Sequence, residues 1–159
     1  MDDAATIIAN LGLIPHPEGG WYAETYRSSL TVNAHGAPRS ALTNVYFLLD
    51  GTSFSAYHRL DADETWHFYR GNPLTICIID ADGAFEERPL GPDGAWQTTV
   101  AAGSFFAASL THQTGYALVG CSVAPGFDFA GFELPARDDL IARFPQHATS
   151  IRRLTRVRN

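Results

Sequence analysis

Short runs rich in apolar residues, some alternating with polar ones and some continuously apolar, pass through the middle of the chain between tight polar turns. SALTNVYFLL (40–49), FSAYHRL (54–60), ETWHFY (64–69), LTICIID (74–80), FEERPL (85–90), WQTTV (96–100), SFFAA (104–108) and YALVGCSV (116–123) each read as a strand. WYAETYR (21–27) precedes them, and PGFDFAGFEL (125–134) adds a turn and a last short strand. Asp50-Gly51, 61–63, Ala81-Asp82-Gly83 and 91–94 supply the turns between them, because glycine and aspartate suit tight hairpin connections. Residues 31–38 are polar, with Gly36 and Pro38, and read as a loop. The pattern therefore predicts eight to ten short strands. No helical crossover separates them, which argues for an antiparallel sandwich or barrel. Helical spacing is confined to the ends. Asp2 or Asp3 can cap a helix presenting Ile7, Ile8 and Leu11, with Gly12 as its stop. Leu140, Ile141 and Phe144 mark a second helix from Asp138, and 147–154 a third.

Strand parity assigns faces. In the first strand Tyr22, Glu24 and Tyr26 share one side and Trp21, Ala23, Thr25 and Arg27 the other. Phe54, Ala56, His58 and Leu60 form an otherwise apolar face, so His58 is expected to point inward. Glu64, Trp66 and Phe68 oppose Thr65, His67 and Tyr69, so Glu64 and His67 can both reach the interior only through a bulge. The stretch 58–71, HRLDADETWHFYRG, is the richest concentration of reactive side chains in the chain. His58, Glu64 and His67 are its candidate site residues, with Tyr46 as an acid partner from another strand. Two chemistries stay open. A neutral His58 imidazole could remove a proton beside a carbonyl, or His58 could ligate a metal, which needs two more ligands and an open position. Glu64 is either a surface carboxylate paired with Arg59 or Arg70 or an inward acid partnered by His58. His112 is expected in an exposed loop, and His16, His35 and His147 receive no role. PEGGWYAET (17–25) reads first as a turn locked by Trp21 and Tyr22, and alternatively as a lip from which Tyr22 or Glu24 reaches a ligand. The aromatics of 125–134 read as core or dimer contact.

Composition narrows the classes. A chain of 159 residues fits one domain, 1–159, that buries roughly two-thirds of its unfolded surface. The net charge of −6 gives no basic field for nucleic acid. All eleven basic residues are arginine, which excludes a lysine Schiff base and a P-loop lysine. Arg152, Arg153, Arg156 and Arg158 crowd the tail and read as a solvated helix end. Cys77 and Cys121 lie in apolar runs without a CxxC pair, as buried free thiols do in a reducing compartment. The acidic N-terminus is unlike a leader peptide, and no apolar run approaches the ~18 residues of a membrane span. The expected location is cytoplasmic, with no membrane partner.

His58, Glu64 and Gly71 resemble the first motif of the cupin superfamily, His-x-His, three or four residues, Glu, six residues, Gly, with Leu60 in place of the second histidine. Residues 103–112 resemble a degraded second motif, with Ser109 where a proline belongs and His112 two positions early. In metal-binding cupins these positions supply three His and one Glu; here the divalent-metal pattern fails at Leu60. LGLIPHPEGGWYAETYRS, TNVYFLL, FSAYHRLDADETWHFYRGNPL and LVGCSVAPGFDFAGFEL resemble a cupin subfamily catalogued as a domain of unknown function. That resemblance implies a mostly β chain folded as a double-stranded β-helix, the jelly-roll barrel, with short terminal helices, paired as a homodimer. The fold is similar to that of dTDP-sugar 3,5-epimerases. The leading expectation is a small-molecule-binding cupin without a cofactor, acting as a metal-independent isomerase or epimerase on a sugar-like or carbonyl-bearing ligand. A metal-dependent lyase or dioxygenase and a non-catalytic binding module are the alternatives.

Overall fold

A computed structural model describes residues 3–157; Met1, Asp2, Arg158 and Asn159, and with them the alternative cap at Asp2 and one tail arginine, lie outside the described residues. Helix α1 (Ala4–Leu11) starts at Asp3, whose carboxylate accepts the Thr6 N–H at 2.8 Å. It stops at Gly12, whose φ of 63° is the left-handed conformation that ends helices. Among the described residues thirteen strands follow: β1 (Ile14–Pro15), β2 (Trp21–Arg27), β3 (Thr31–Ala34), β4 (Ala37–Ser40), β5 (Thr43–Asp50), β6 (Phe54–Leu60), β7 (Asp63–Gly71), β8 (Leu74–Ile79), β9 (Phe85–Leu90), β10 (Gln97–Val100), β11 (Phe105–Leu110), β12 (Tyr116–Ala124) and β13 (Phe132–Glu133). Helices α2 (Arg137–Arg143) and α3 (Ala148–Arg153) come last.

One sheet runs β1-β2-β5-β12-β7-β10 and the other β13-β6-β11-β8-β9. Their strand pairs are antiparallel. Together they make the expected jelly-roll barrel. Alternate residues fill it: Phe47 and Leu49 from β5, Trp66 and Phe68 from β7, Ile76 and Ile78 from β8, Phe106 from β11 and Val119 from β12. Each such side chain contributes about 1.5–3 kcal/mol on burial. The outer faces are covered at the ends of the chain. Ile7 of α1 packs on Leu48 and Tyr116 of the six-stranded sheet. Leu140, Phe144, Ile151 and Leu154 of the C-terminal helical segment pack on Tyr57, Cys77, Ile79 and Phe105 of the five-stranded sheet. Cys77 and Cys121 are buried and free. Among the described residues no helix is long and apolar enough to cross a membrane.

Three local expectations change. Residues 31–38 are not a loop; most of them belong to the β3–β4 hairpin, paired from Thr31↔Ser40 to Ala34↔Ala37. Its turn places His35 and Gly36 at φ 53° and 79°, the double positive φ that twists correctly between two strands. Little of the hairpin is buried, so it leaves no apolar alternation to read. In β6 the register steps from Phe106↔His58 to Ala108↔Ser55, which inserts one extra residue into β6. Phe54 therefore packs with Tyr57 against the helices instead of sharing a face with His58. In β2, Glu24 faces Val45 and Tyr26 faces Asn44, so Thr25 is the extra residue, and Tyr26 is exposed while Tyr22 and Glu24 line the interior pocket.

Candidate functional site

A cavity of about 50 Å³ opens inside the barrel, enough for roughly four waters or a ligand of that size. Phe47 of β5, Leu60 of β6, Val123 of β12 and Phe127 and Phe132 beyond it form apolar walls. His16, Glu18, His58 and Glu64 supply the polar groups.

Glu18 enters from the loop between β1 and β2, and backbone chemistry holds it there. Pro15 and Pro17 restrict φ, the Gly19 N–H bonds to the His16 carbonyl at 2.9 Å, and the His16 N–H bonds to the Gly20 carbonyl at 2.9 Å. Gly19 sits at φ 107° against β6, where a Cβ would lie 2.1 Å from the Phe54 carbonyl oxygen. The Glu18 carbonyl accepts the Ala56 N–H at 2.7 Å and Arg156 Nη1 at 2.7 Å, while Arg156 Nη2 donates to the Phe54 carbonyl at 2.9 Å. The C-terminal segment thereby clamps the loop onto β6.

The Glu18 carboxylate meets His58 Nε2 at 2.9 Å, and His58 Nδ1 lies 2.7 Å from the Ala56 carbonyl. A carbonyl oxygen only accepts, so Nδ1 carries a proton, and Nε2 shares a second proton with Glu18. Burial opposes charge on both groups. It is outweighed at Glu18 by the charge and hydrogen bond of His58, which hold the carboxyl below its ordinary value. At His58 burial is outweighed by Glu18 and, less strongly, Glu64, which hold the imidazole above its ordinary value. The pair is thus imidazolium and carboxylate. His16 accepts the Glu18 N–H on Nδ1 at 3.2 Å, so its neutral form carries the proton on Nε2. Burial holds His16 below the usual histidine range, with Glu18 acting upward and His58 downward.

Glu64 differs. It lies on β7 with 9% of its surface exposed, against 6% for Glu18 and 2% for His58. Its Oε2 is buried without a hydrogen-bond partner. Burial pushes the carboxyl up to about 7, with His58 pulling down, Glu18 pushing up, and the neighbouring Trp66 and Cys121 side chains pulling down less strongly. A carboxyl near neutrality with an unmet oxygen at a cavity wall is equipped to donate or accept a proton.

The structure brings together two of the four residues singled out in the sequence, His58 and Glu64. It places the other two elsewhere. His67 takes the opposite face of β7, half-buried, with Nε2 3.3 Å from Ser122 Oγ. Tyr46 takes the face of β5 opposite Val45 and Phe47, packing on the α1 cluster and against Tyr69. No bulge precedes His67 in its pairing with β12; the register shift comes at Leu118/Val119, beyond Phe68. His112 is exposed in the loop after β11. Of the two readings of PEGGWYAET, the ligand-facing one gains support, since Tyr22 and Glu24 line the cavity. Phe127 and Phe132 line it too, although 125–134 read as core or dimer contact. His16 and Glu18 were not legible as site residues, because an aperiodic loop gives no facing rule. The one signal was the Pro/Gly punctuation of 15–20, which marks a chain path too constrained to be a passive connection.

The metal pattern of cupins does not fit these residues. Leu60 replaces a ligand, both His58 nitrogens are engaged within the protein, and among the described residues no three His, Cys, Asp or Glu side chains gather as a metal site would require.

The chain matches the model of the Cupin superfamily (DUF985) over residues 5–135. It is similar to a hypothetical protein from Leishmania major, at 35% identity and TM-score 0.93, covering 97% of this chain and 99% of that one. It is likewise similar to a protein from Shewanella oneidensis, at 39% identity and TM-score 0.91, covering 99% and 100%. An oxalate decarboxylase from Bacillus subtilis shares the fold at 16% identity and TM-score 0.57, with 91% of this chain aligned to 37% of that one. No curated protein matches the chain.

Proposed function

This chain belongs to the Cupin superfamily (DUF985), and from that premise we propose that it is a metal-independent acid–base enzyme of isomerase or epimerase type, acting on a carbonyl-bearing small molecule in the barrel. The observation that carries the reading is Glu64 Oε2, buried at the cavity wall with no partner in the protein. The ionised Glu64 takes a proton from the carbon beside the carbonyl. The electron pair moves to the carbonyl oxygen, and the neutral His16 imidazole, protonated on Nε2, stabilises the enolate by hydrogen bonding. With an α-hydroxy carbonyl substrate, Glu64 then returns its proton to the former carbonyl carbon while the hydroxyl proton passes by way of His16 to the former carbonyl oxygen, so the isomer forms without loss of atoms or charge. His58 is a positioning residue: with both nitrogens engaged, it orients Glu18 and stabilises negative charge on Glu64.

The test is solvent-deuterium incorporation into small aldehydes and ketones, followed by NMR. Exchange is expected with the wild-type protein, and Glu64→Gln should lower its rate by about 10²–10⁴-fold. Full exchange in the variant, or none in any carbonyl compound with the wild-type protein, rejects the assignment. A non-catalytic module is the second reading, favoured by the small apolar cavity, and predicts that ligands bind and are recovered without deuterium.

A further inference from the structure

The charge and size of the cavity narrow the ligand, on the assumption that the acid–base reading holds. Each cationic group around it is already engaged. His58 holds Glu18. Arg27, near the mouth, gives Nε and Nη2 to Glu24 and Nη1 to the Phe127 carbonyl. Arg156, behind the Glu18 loop, gives both terminal nitrogens to backbone carbonyls. The chain has no lysine. A carboxylate or phosphate in the cavity would lie against Glu64 with no cation left to receive it, and an unpaired buried charge costs several kcal/mol. A carbonyl needs a donor, which His16 Nε2–H provides, and its alkyl groups suit Phe47, Leu60, Val123 and Phe132.

We infer that the cavity takes a small uncharged ketone or aldehyde and discriminates against carboxylate analogues of the same size. The size limit follows from the roughly four-water cavity, which leaves no room for a nucleotide-linked sugar.

Hydroxyacetone and pyruvate share an acetyl end and differ in charge, so they form a matched pair. Their binding to the full chain is measured by ligand-observed NMR at pH 8. Hydroxyacetone should bind at least about tenfold more tightly than pyruvate. Glu64→Gln should narrow the gap to pyruvate severalfold. Should that variant fail to fold, lowering the pH of the wild-type protein from 8 to 6 protonates Glu64 and should narrow the same gap. The groups facing Glu64 across this interval are Glu18 and His16 on the loop, His58 on β6, Cys121 on β12 and Glu24 on β2. Burial holds Cys121 well above the usual thiol range, and the Glu18–His58 pair is held charged. Pyruvate binding as tightly as hydroxyacetone overturns the inference, as does no binding of either probe at tens of millimolar, or a gap that neither change narrows. Hydroxyacetone that binds without deuterium exchange removes the enolisation reading and leaves the ligand class standing. Tight pyruvate binding with exchange does the reverse.

Discussion

The Glu18–His58 contact sets the charge state of the site. Its contribution to stability is fully present between the ordinary values of the two groups, 4.5 and 6.5. It extends beyond both, and is lost as pH falls through the depressed value of Glu18 or rises through the elevated value of His58. Glu18→Gln leaves a buried imidazole without its counter-ion and should cost about 3–5 kcal/mol in urea unfolding at pH 7. In ¹⁵N NMR, wild-type His58 should be doubly protonated at pH 7 and the variant a neutral Nδ1–H tautomer; a neutral wild-type ring contradicts the ion pair. Glu64 has the opposite linkage. Its value rises on folding from 4.5 to about 7, so the folded state binds more protons and stability falls as pH rises through that interval. The loss is at most about 3 kcal/mol by pH 8. Glu64→Gln should flatten that slope and raise the pH 8 melting midpoint by roughly 5 °C; an unchanged slope would show that Glu64 does not titrate there. His58 was legible because it sits on a strand face that is otherwise apolar, whereas Glu64, at the start of its strand after a polar turn, was open between surface and interior, and only its burial in the fold decides it. The same parity predicted that Glu64 and His67 would diverge.

At the scale of elements, the site depends on one loop held against one bulged strand. Gly19→Ala places a methyl group 2.1 Å from the Phe54 carbonyl at a φ that alanine avoids. It should cost at least about 2 kcal/mol. Because the displaced loop carries Glu18, the His58 ring should also lose its Nε2 proton at neutral pH in the folded variant. A variant that is destabilised but keeps the imidazolium would separate the loop's packing from its role in the site. The bulge in β6 was not legible, since parity assumes regular pairing and the extra residue shows only against β11. It breaks the expected Phe54–His58 face and releases Phe54 to the helices. The β3–β4 hairpin escaped notice for a different reason: backbone pairing and a positive-φ turn stabilise it, with little side-chain burial.

For the whole molecule, the homodimer implied by the family resemblance is a proposal. Light scattering at micromolar concentration should return twice the mass of one chain, and a monomer would contradict it. By itself, the sequence determined the antiparallel barrel, the helices at both ends, the inward His58, the opposite faces of Glu64 and His67 in a regular strand, and the departure from the metal motif at Leu60. These follow from local periodicity, turn chemistry and motif spacing, all carried by residues close along the chain. Tertiary structure alone decided that Glu18, forty positions before His58, is its partner, and that His16 and the aromatics after β12 complete the cavity. It also decided that Tyr46 and His67 face away. The reason is that a loop has no period from which to read a face, and a contact across the barrel is set by strand register, bulges and the Arg156 clamp, none of which a single strand records.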